Sequence, residues 1–268
     1  MNFVRVLAVL RREFQEIIKS RGLLLAIFLP PLFITLLPLV TLFFLGPLME
    51  SEAGTDPRDF ARMLSMMPEL QNWTIGEIAI YVILEQFLTF FLMMPLIISL
   101  SIAAQSIVGE KQNKSLEPLL ATPIKTSELL LAKSLAAMLP ALFATWLAFV
   151  IFIFGARILI SSERVFLALM NPKWFVAMGI LAPLLALLSV SMAVVLSSRV
   201  NDSRAVQQIG GFIVLPIVLL GVAQTVGLLL LNATTFVIGA IVVAVIDVLI
   251  LRLGVRVFQR EKILTQWK

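Results

Sequence analysis

The chain has 268 residues, 60% of them hydrophobic and only 14% charged, and its mean hydropathy is +1.03; a soluble domain carries about a quarter charged residues, so a soluble domain of any size is excluded. The net charge of +5 is not a nucleic-acid signature, because the lysines and arginines sit at the ends of apolar runs, where they set membrane orientation. With no cysteine and no histidine, disulfides, Cys/His zinc sites, histidine proton relays and intramembrane proteases that need a histidine are excluded as well.

Residues 2–21 read as an amphipathic helix. Phe3, Val6, Leu7, Leu10, Phe14, Ile17 and Ile18 form one apolar stripe, with Arg11, Arg12, Gln15, Glu16 and Lys19 mostly off it. Such a helix lies in the membrane interface. Charges precede the first long apolar run, which is too long for a signal h-region, so no cleavable signal peptide is expected.

Six apolar runs follow, each near the roughly 20 residues a spanning helix needs. They are placed at about 22–48, 78–104, 131–156, 174–197, 207–231 and 236–254. Pro30, Pro31 and Pro38 predict that the first span is kinked or starts late, and Gly46-Pro47 is expected to end it. Residues 50–77 are polar and mainly acidic. Thr74 and Glu77 have capping-box spacing ahead of the second span. Thr126 or Ser127 is a candidate cap for the third span, with Glu128 in its first turn. Asn171-Pro172 predicts a cap and first helical position for the fourth. Residues 205–246 carry no charge, too long a stretch for one helix, and Asn232–Thr235 divide it. Gly221, Gln224 and Gly227 are candidates for a further break in the fifth span.

Placing both termini in the cytoplasm leaves sixteen Lys/Arg inside and five outside, while the acids divide evenly. That split follows the positive-inside rule and predicts a multi-pass plasma-membrane protein with cytoplasmic termini. The fold class read from these features is an all-α integral membrane protein, one domain over 1–268.

Between the second and third spans lies an unusually long hydrophilic segment, residues 105–130. Its pattern is Gly-Glu-Lys at 109–111, Ser-Leu-Glu-Pro-Leu-Leu-Ala-Thr-Pro at 115–123 and Leu-Leu-Ala-Lys at 130–133. Together with the six-span layout, this pattern resembles the permeases of ABC type-2 transporters. The resemblance implies a cytoplasmic coupling helix in this segment, resting on an ATPase, with Glu110, Lys111, Ser115, Leu116, Glu117, Leu119, Leu120, Thr122 and Pro123 as coupling residues. It makes residues 1–21 an elbow helix beside that segment; the residues alone also fit a plain surface anchor. It further implies export by alternating access, two ATPase copies, and a second permease, identical or related. ATP and Mg would be held by the ATPase and no cofactor by this chain. Lipid is the expected surroundings, and nucleic acid is not an expected partner.

The chain has no Gly-x-x-x-x-Gly-Lys-[Ser/Thr] loop, no Gly-x-Ser-x-Gly elbow and no Glu/His metal cluster, so no catalytic residue and no metal site is assigned. Two acids fall within spans, Glu85 and Asp247. A charge at mid-bilayer costs about 2.5–3.5 kcal/mol on insertion scales, so each should face protein or water. Glu85 fits an outer-interface carboxylate or a structural hydrogen bond with Gln86 or another span, or a substrate or cation path. Asp247 fits a pairing with Arg252 or a neighbouring span, or contact with an ion or substrate. Glu117 fits either a solvated loop acid or the docking face, and Lys133 either an orientation anchor or part of the coupling region. Two other classes stay open on the residues alone: an ion-coupled secondary transporter using Glu85 and Asp247, and a non-transporting scaffold.

Overall fold

The computed structural model of the chain describes residues 3–50, 73–112, 126–225 and 232–257. Among these every regular element is helical, and six helices are long and apolar enough to cross a membrane.

Helix α1 (Phe3–Lys19) is followed after one residue by α2 (Arg21–Glu50). Ser20 makes that corner, because its hydroxyl accepts a hydrogen bond from the Leu23 amide at 3.3 Å and so caps α2. The first span therefore does not start late, and it runs through Gly46-Pro47 to Glu50. Prolines are tolerated inside spanning helices where neighbouring groups take up the freed carbonyls. Much of α2 exposes large apolar side chains, among them Phe28, Phe33, Phe43 and Phe44, as a lipid-facing surface must.

Helix α3 (Ile75–Gln112) opens on the predicted capping box. The Thr74 amide donates to Glu77 Oε2 at 2.9 Å, and the Glu77 amide donates to Thr74 Oγ1 at 3.2 Å. The helix extends eight residues past the expected end of the second span, so positions 105–112 are helix rather than loop. It is the axis of the bundle: 83% of its most apolar window is buried, against 17% for the sixth span. Helix α4 (Thr126–Leu159) packs on both α2 and α3 and buries the small residues Ala132, Ala136, Ala144, Ala148 and Ala156. Small residues let membrane helices approach closely. Gly155 shows how tight the fit is, since a Cβ there would lie 2.6 Å from Leu39 of α2.

The loop expected at 157–173 contains a short helix, α5 (Glu163–Leu169). The fourth span then begins at α6 (Pro172–Val176), capped by Asn171 Oδ1 on the Lys173 amide at 3.2 Å. A wider π turn over Ala177–Leu181 leads into α7 (Ala182–Ser197). Pro183 supplies no N–H for the preceding turn, and such interruptions are where a helix changes register. The Trp146 indole of α4 donates to the Met178 carbonyl in that turn at 2.9 Å.

Asp202 caps α8 (Ser203–Gly211), which continues through a tightened turn at Phe212–Val214 into α9 (Leu215–Thr225). Gly221 and Gln224 lie inside α9, so the expected break is not at these two positions; Gly227 lies outside the described residues. Asn232 accepts from the Thr235 amide at 2.8 Å and starts α10 (Ala233–Val257). Helix α10 packs along α6, the π turn and α7.

Candidate functional site

Three polar clusters interrupt the apolar interior. The first lies at the end of the bundle that carries α1. One face of α1, Val6, Val9 and Ile17, is buried, while Phe3, Leu7 and Ile18 of the predicted stripe point away from the bundle. Glu13 lies on the buried face, 3% exposed, a position the hydrophobic stripe did not single out. Its partner is Lys133 of α4. Lys133 Nζ lies 2.7 Å from Glu13 Oε1, 2.8 Å from Glu110 Oε2 and 2.8 Å from Ser106 Oγ. The Ser106 hydroxyl donates to the other Glu13 oxygen at 2.8 Å, and the Arg12 guanidinium stands 3.8 Å from Glu110. One ammonium thus gathers α1, α3 and α4. Val6 and Val9 pack beside it on Ile107, Leu129, Ala132 and Val194.

This arrangement settles where the first two predicted coupling residues sit. Glu110 is buried in the ion cluster and faces Lys133, not open solvent. Lys111 points the other way and donates to the Ser197 carbonyl at the end of α7 at 3.4 Å, while Gln112 donates to the Asn201 carbonyl at 2.8 Å. The last turn of α3 is therefore fastened on both sides. Ser115, Leu116, Glu117, Leu119, Leu120, Thr122 and Pro123 lie outside the described residues. Lys133 is more than an orientation anchor, because its head group is buried and shared by three partners.

The second cluster is at the opposite end. Glu85 of α3 pairs with Lys173 of α6, 2.6 Å apart and both buried. Lys173 also donates to the Tyr81 hydroxyl at 3.0 Å, and the Trp174 indole donates to Glu85 at 3.4 Å. Trp174 stacks between Phe149 and Phe152, with centroids at 5.7 and 5.6 Å and Phe91 edge-on. The Ser162 hydroxyl reaches Glu77 nearby. Glu85 is thus held by an ion pair and a hydrogen bond to another span. The partner is Lys173, which the sequence reading left in a loop.

The third cluster is sparse. Asp247 is 2% exposed, and neither carboxylate oxygen has a hydrogen-bond partner among the described residues. The expected pairing with Arg252 is not made. Five residues at about 100° each put Arg252 some 140° round the helix, on the exposed face. On α7 the Ser191 hydroxyl is likewise buried and without a partner. Ser99 and Ser189, by contrast, satisfy each other and the Pro95 and Ala186 carbonyls. Among the described residues no group of acidic side chains is arranged to hold a metal ion.

The chain as a whole matches the family described as ABC-2 family transporter protein, over residues 7–251. It belongs to that family. It is accordingly a permease subunit of an ABC transporter and a multi-pass membrane component, of a family whose members are membrane subunits without an ATPase site and in general work with an ABC ATPase. No match is found among curated proteins.

Proposed function

We propose that this chain exports a substrate by alternating access, driven by ATPase subunits docked on residues 113–125. The observation that carries the reading is the Glu13–Lys133–Glu110 cluster. The segment 113–125 is joined at one end to α3 and at the other to α4, and the cluster lies at the last turn of the one and the second turn of the other. A buried ion pair resists separation, because parting it strands a charge out of water. A displacement of the segment would therefore move α1, α3 and α4 together instead of bending one of them. The remaining coupling residues, Ser115, Leu116, Glu117, Leu119, Leu120, Thr122 and Pro123, would form the docking face itself, and ATP and Mg would bind in the ATPase. The sixteen-to-five distribution of Lys and Arg supports placing this end, and both termini, in the cytoplasm. The functional unit would contain two permeases and two ATPases.

The test is reconstitution. The isolated chain should hydrolyse no ATP. Co-expressed with the Walker-motif ATPase from its own gene neighbourhood, it should recruit that subunit and give ATP-dependent loss of substrate from the cytoplasmic side. Hydrolysis by the isolated chain, or failure to bind any such ATPase, overturns the reading.

A further inference from the structure

A groove of about 740 Å³ runs between α1, α2 and α4. On α2, Ile27, Pro31 and Thr35 recur at steps of four and form its floor, while Phe28, Leu32 and Leu36 stand beside them as an exposed wall. On α4, Pro140, Ala144 and Ala148 belong to the floor, and Phe143, Leu147 and Ile151 make a second exposed wall. Four-residue rows of this kind lie along one face of a helix. Large side chains thus flank a floor built mostly of Pro, Thr and Ala, which leaves the space between them open. Phe14, Ile17 and Ile18 of α1 line one end.

Thr35 is the one polar side chain in this lining, and its hydroxyl is buried. The walls offer no side-chain hydrogen bond to water or to a polar ligand, so the occupant is apolar. The lining residues of α2 extend from Leu24 to Leu39, about 22 Å of helix. One leaflet of hydrocarbon is about 15 Å deep. Spread over that length, the volume gives a cross-section of about 35 Å², less than half that of a helix about 10 Å across. The groove is long enough for a whole acyl chain and too thin to take in another helix.

The charge at the α1 end selects the lipid. Arg11 precedes Phe14 and Ile18 by three and seven residues, and Arg21 precedes Leu24, Phe28 and Leu32 by three, seven and eleven. Each arginine therefore heads a row of side chains by which its helix lines the groove. Lys19 lies between them at the corner of α1 and α2. All three are exposed, and none makes an ion pair among the described residues. The acids of α1 are already engaged, Glu13 by Lys133 and Glu16 by Arg12. Uncompensated positive charge thus stands at the mouth of an apolar groove.

We infer that the groove is a binding site for one anionic phospholipid, with an acyl chain along α2 and α4 and the phosphate on Arg11 and Arg21. A plain lipid-facing surface takes any lipid; a groove headed by arginines selects for charge, as basic clusters do at anionic membrane surfaces. The inference rests on neither the docking of an ATPase nor the direction of transport.

The test uses the full chain, purified in detergent and stripped of lipid. It is titrated with palmitoyl-oleoyl phosphatidylglycerol or with phosphatidylcholine carrying the same chains, and bound lipid is counted by native mass spectrometry. One phosphatidylglycerol per chain should be retained at concentrations well below those needed for phosphatidylcholine. Arg11→Gln and Arg21→Gln should each raise the phosphatidylglycerol concentration needed by about fivefold, the order that one basic residue contributes at an anionic surface. Neither should shift the melting temperature of the stripped chain, since both arginines are exposed and unpaired among the described residues. Ala144→Phe puts a ring on the floor and should abolish the single site. Leu147→Trp, on the exposed wall, should weaken it without touching buried packing. Equal retention of the two lipids, unchanged retention with both arginines replaced, or full retention in both Ala144→Phe and Leu147→Trp overturns the site. A chain dimer that Leu147→Trp abolishes, with no preference between the lipids, overturns it in favour of a second copy of this chain. Because the readout needs no ATPase, its failure leaves the permease reading intact, and a chain that binds the lipid but no ATPase refutes that reading alone.

Discussion

Lys133 Nζ sits 2.7 Å from Glu13 Oε1, closing a contact across 120 positions of sequence. The same ammonium holds Glu110 at 2.8 Å, so one cation neutralises two buried acids that would otherwise repel each other. Removing one partner of a buried ion pair costs about 3–5 kcal/mol, because an uncompensated charge is left behind. Lys133→Met should therefore lower the apparent melting temperature of the purified chain sharply. Adding Glu13→Gln and Glu110→Gln should recover most of the loss. An unchanged melting temperature for Lys133→Met alone would mean that the cluster holds nothing together.

The second ion pair gives a separate test at the other end of the bundle. Glu85→Gln and Lys173→Met should each destabilise, by roughly 3 kcal/mol or more for these buried positions. The double variant should cost clearly less than the two single losses combined, since it strands no charge. Neither variant should release the ATPase, whose proposed docking segment lies at the opposite end. Strict additivity of the two substitutions would refute the pairing.

Much of this architecture is legible in the sequence because membrane physics writes it there in simple signals. Six apolar runs, the Thr74–Glu77 box, the Asn171-Pro172 start and the Asn232 divide all reappear as helices or caps, each depending on local spacing alone. The errors lie where a local rule met tertiary context. Gly46-Pro47 reads as a stop, but α2 continues to Glu50. Glu110 reads as a loop acid because polar residues surround it, but it lies on the buried face of an extended α3. Neither Glu13 nor Lys173 is singled out by its sequence neighbours as a buried residue. What buries each is a partner 120 or 88 positions away, which no window along the chain can contain. One signal was available for Glu13: it lies seven residues from Val6 and four from Ile17, within the stripe that the hydrophobic count treated as purely apolar.

Topology can be tested on the cysteine-free background. Single cysteines at Ser115 and Thr265 should react with an impermeant thiol reagent only from the cytoplasm, and those at Thr55 and Ser161 only from outside. The expectation follows from the concentration of Lys and Arg at the end of the bundle that carries α1. Labelling of Ser115→Cys from outside would invert the proposed orientation and remove the docking surface from the ATPase.

The coupling proposal makes its sharpest demand where Glu110 and Glu117 part company. Both belong to the segment that the family resemblance marks, but Glu110 is held in the Lys133 cluster, while the proposed docking face begins beyond Gln112. Substitutions in the two places should therefore fail differently. Glu110→Gln removes a buried charge from the cluster and should appear first as reduced stability, with ATPase still bound by the molecules that remain folded. Glu117→Arg reverses a charge on the proposed docking face, and Leu120→Asp puts an acid where an apolar anchor is expected. Losing such a contact at an interface costs roughly 2 kcal/mol or more, above tenfold in affinity. Helix packing within the membrane does not depend on either side chain, so insertion and melting temperature should stay near those of the native chain. Both variants should co-purify with much less ATPase and lose transport. If Glu117→Arg and Leu120→Asp keep full ATPase binding and transport, residues 113–125 are an ordinary connection, and the Glu13–Lys133–Glu110 cluster is a structural clasp with nothing to transmit.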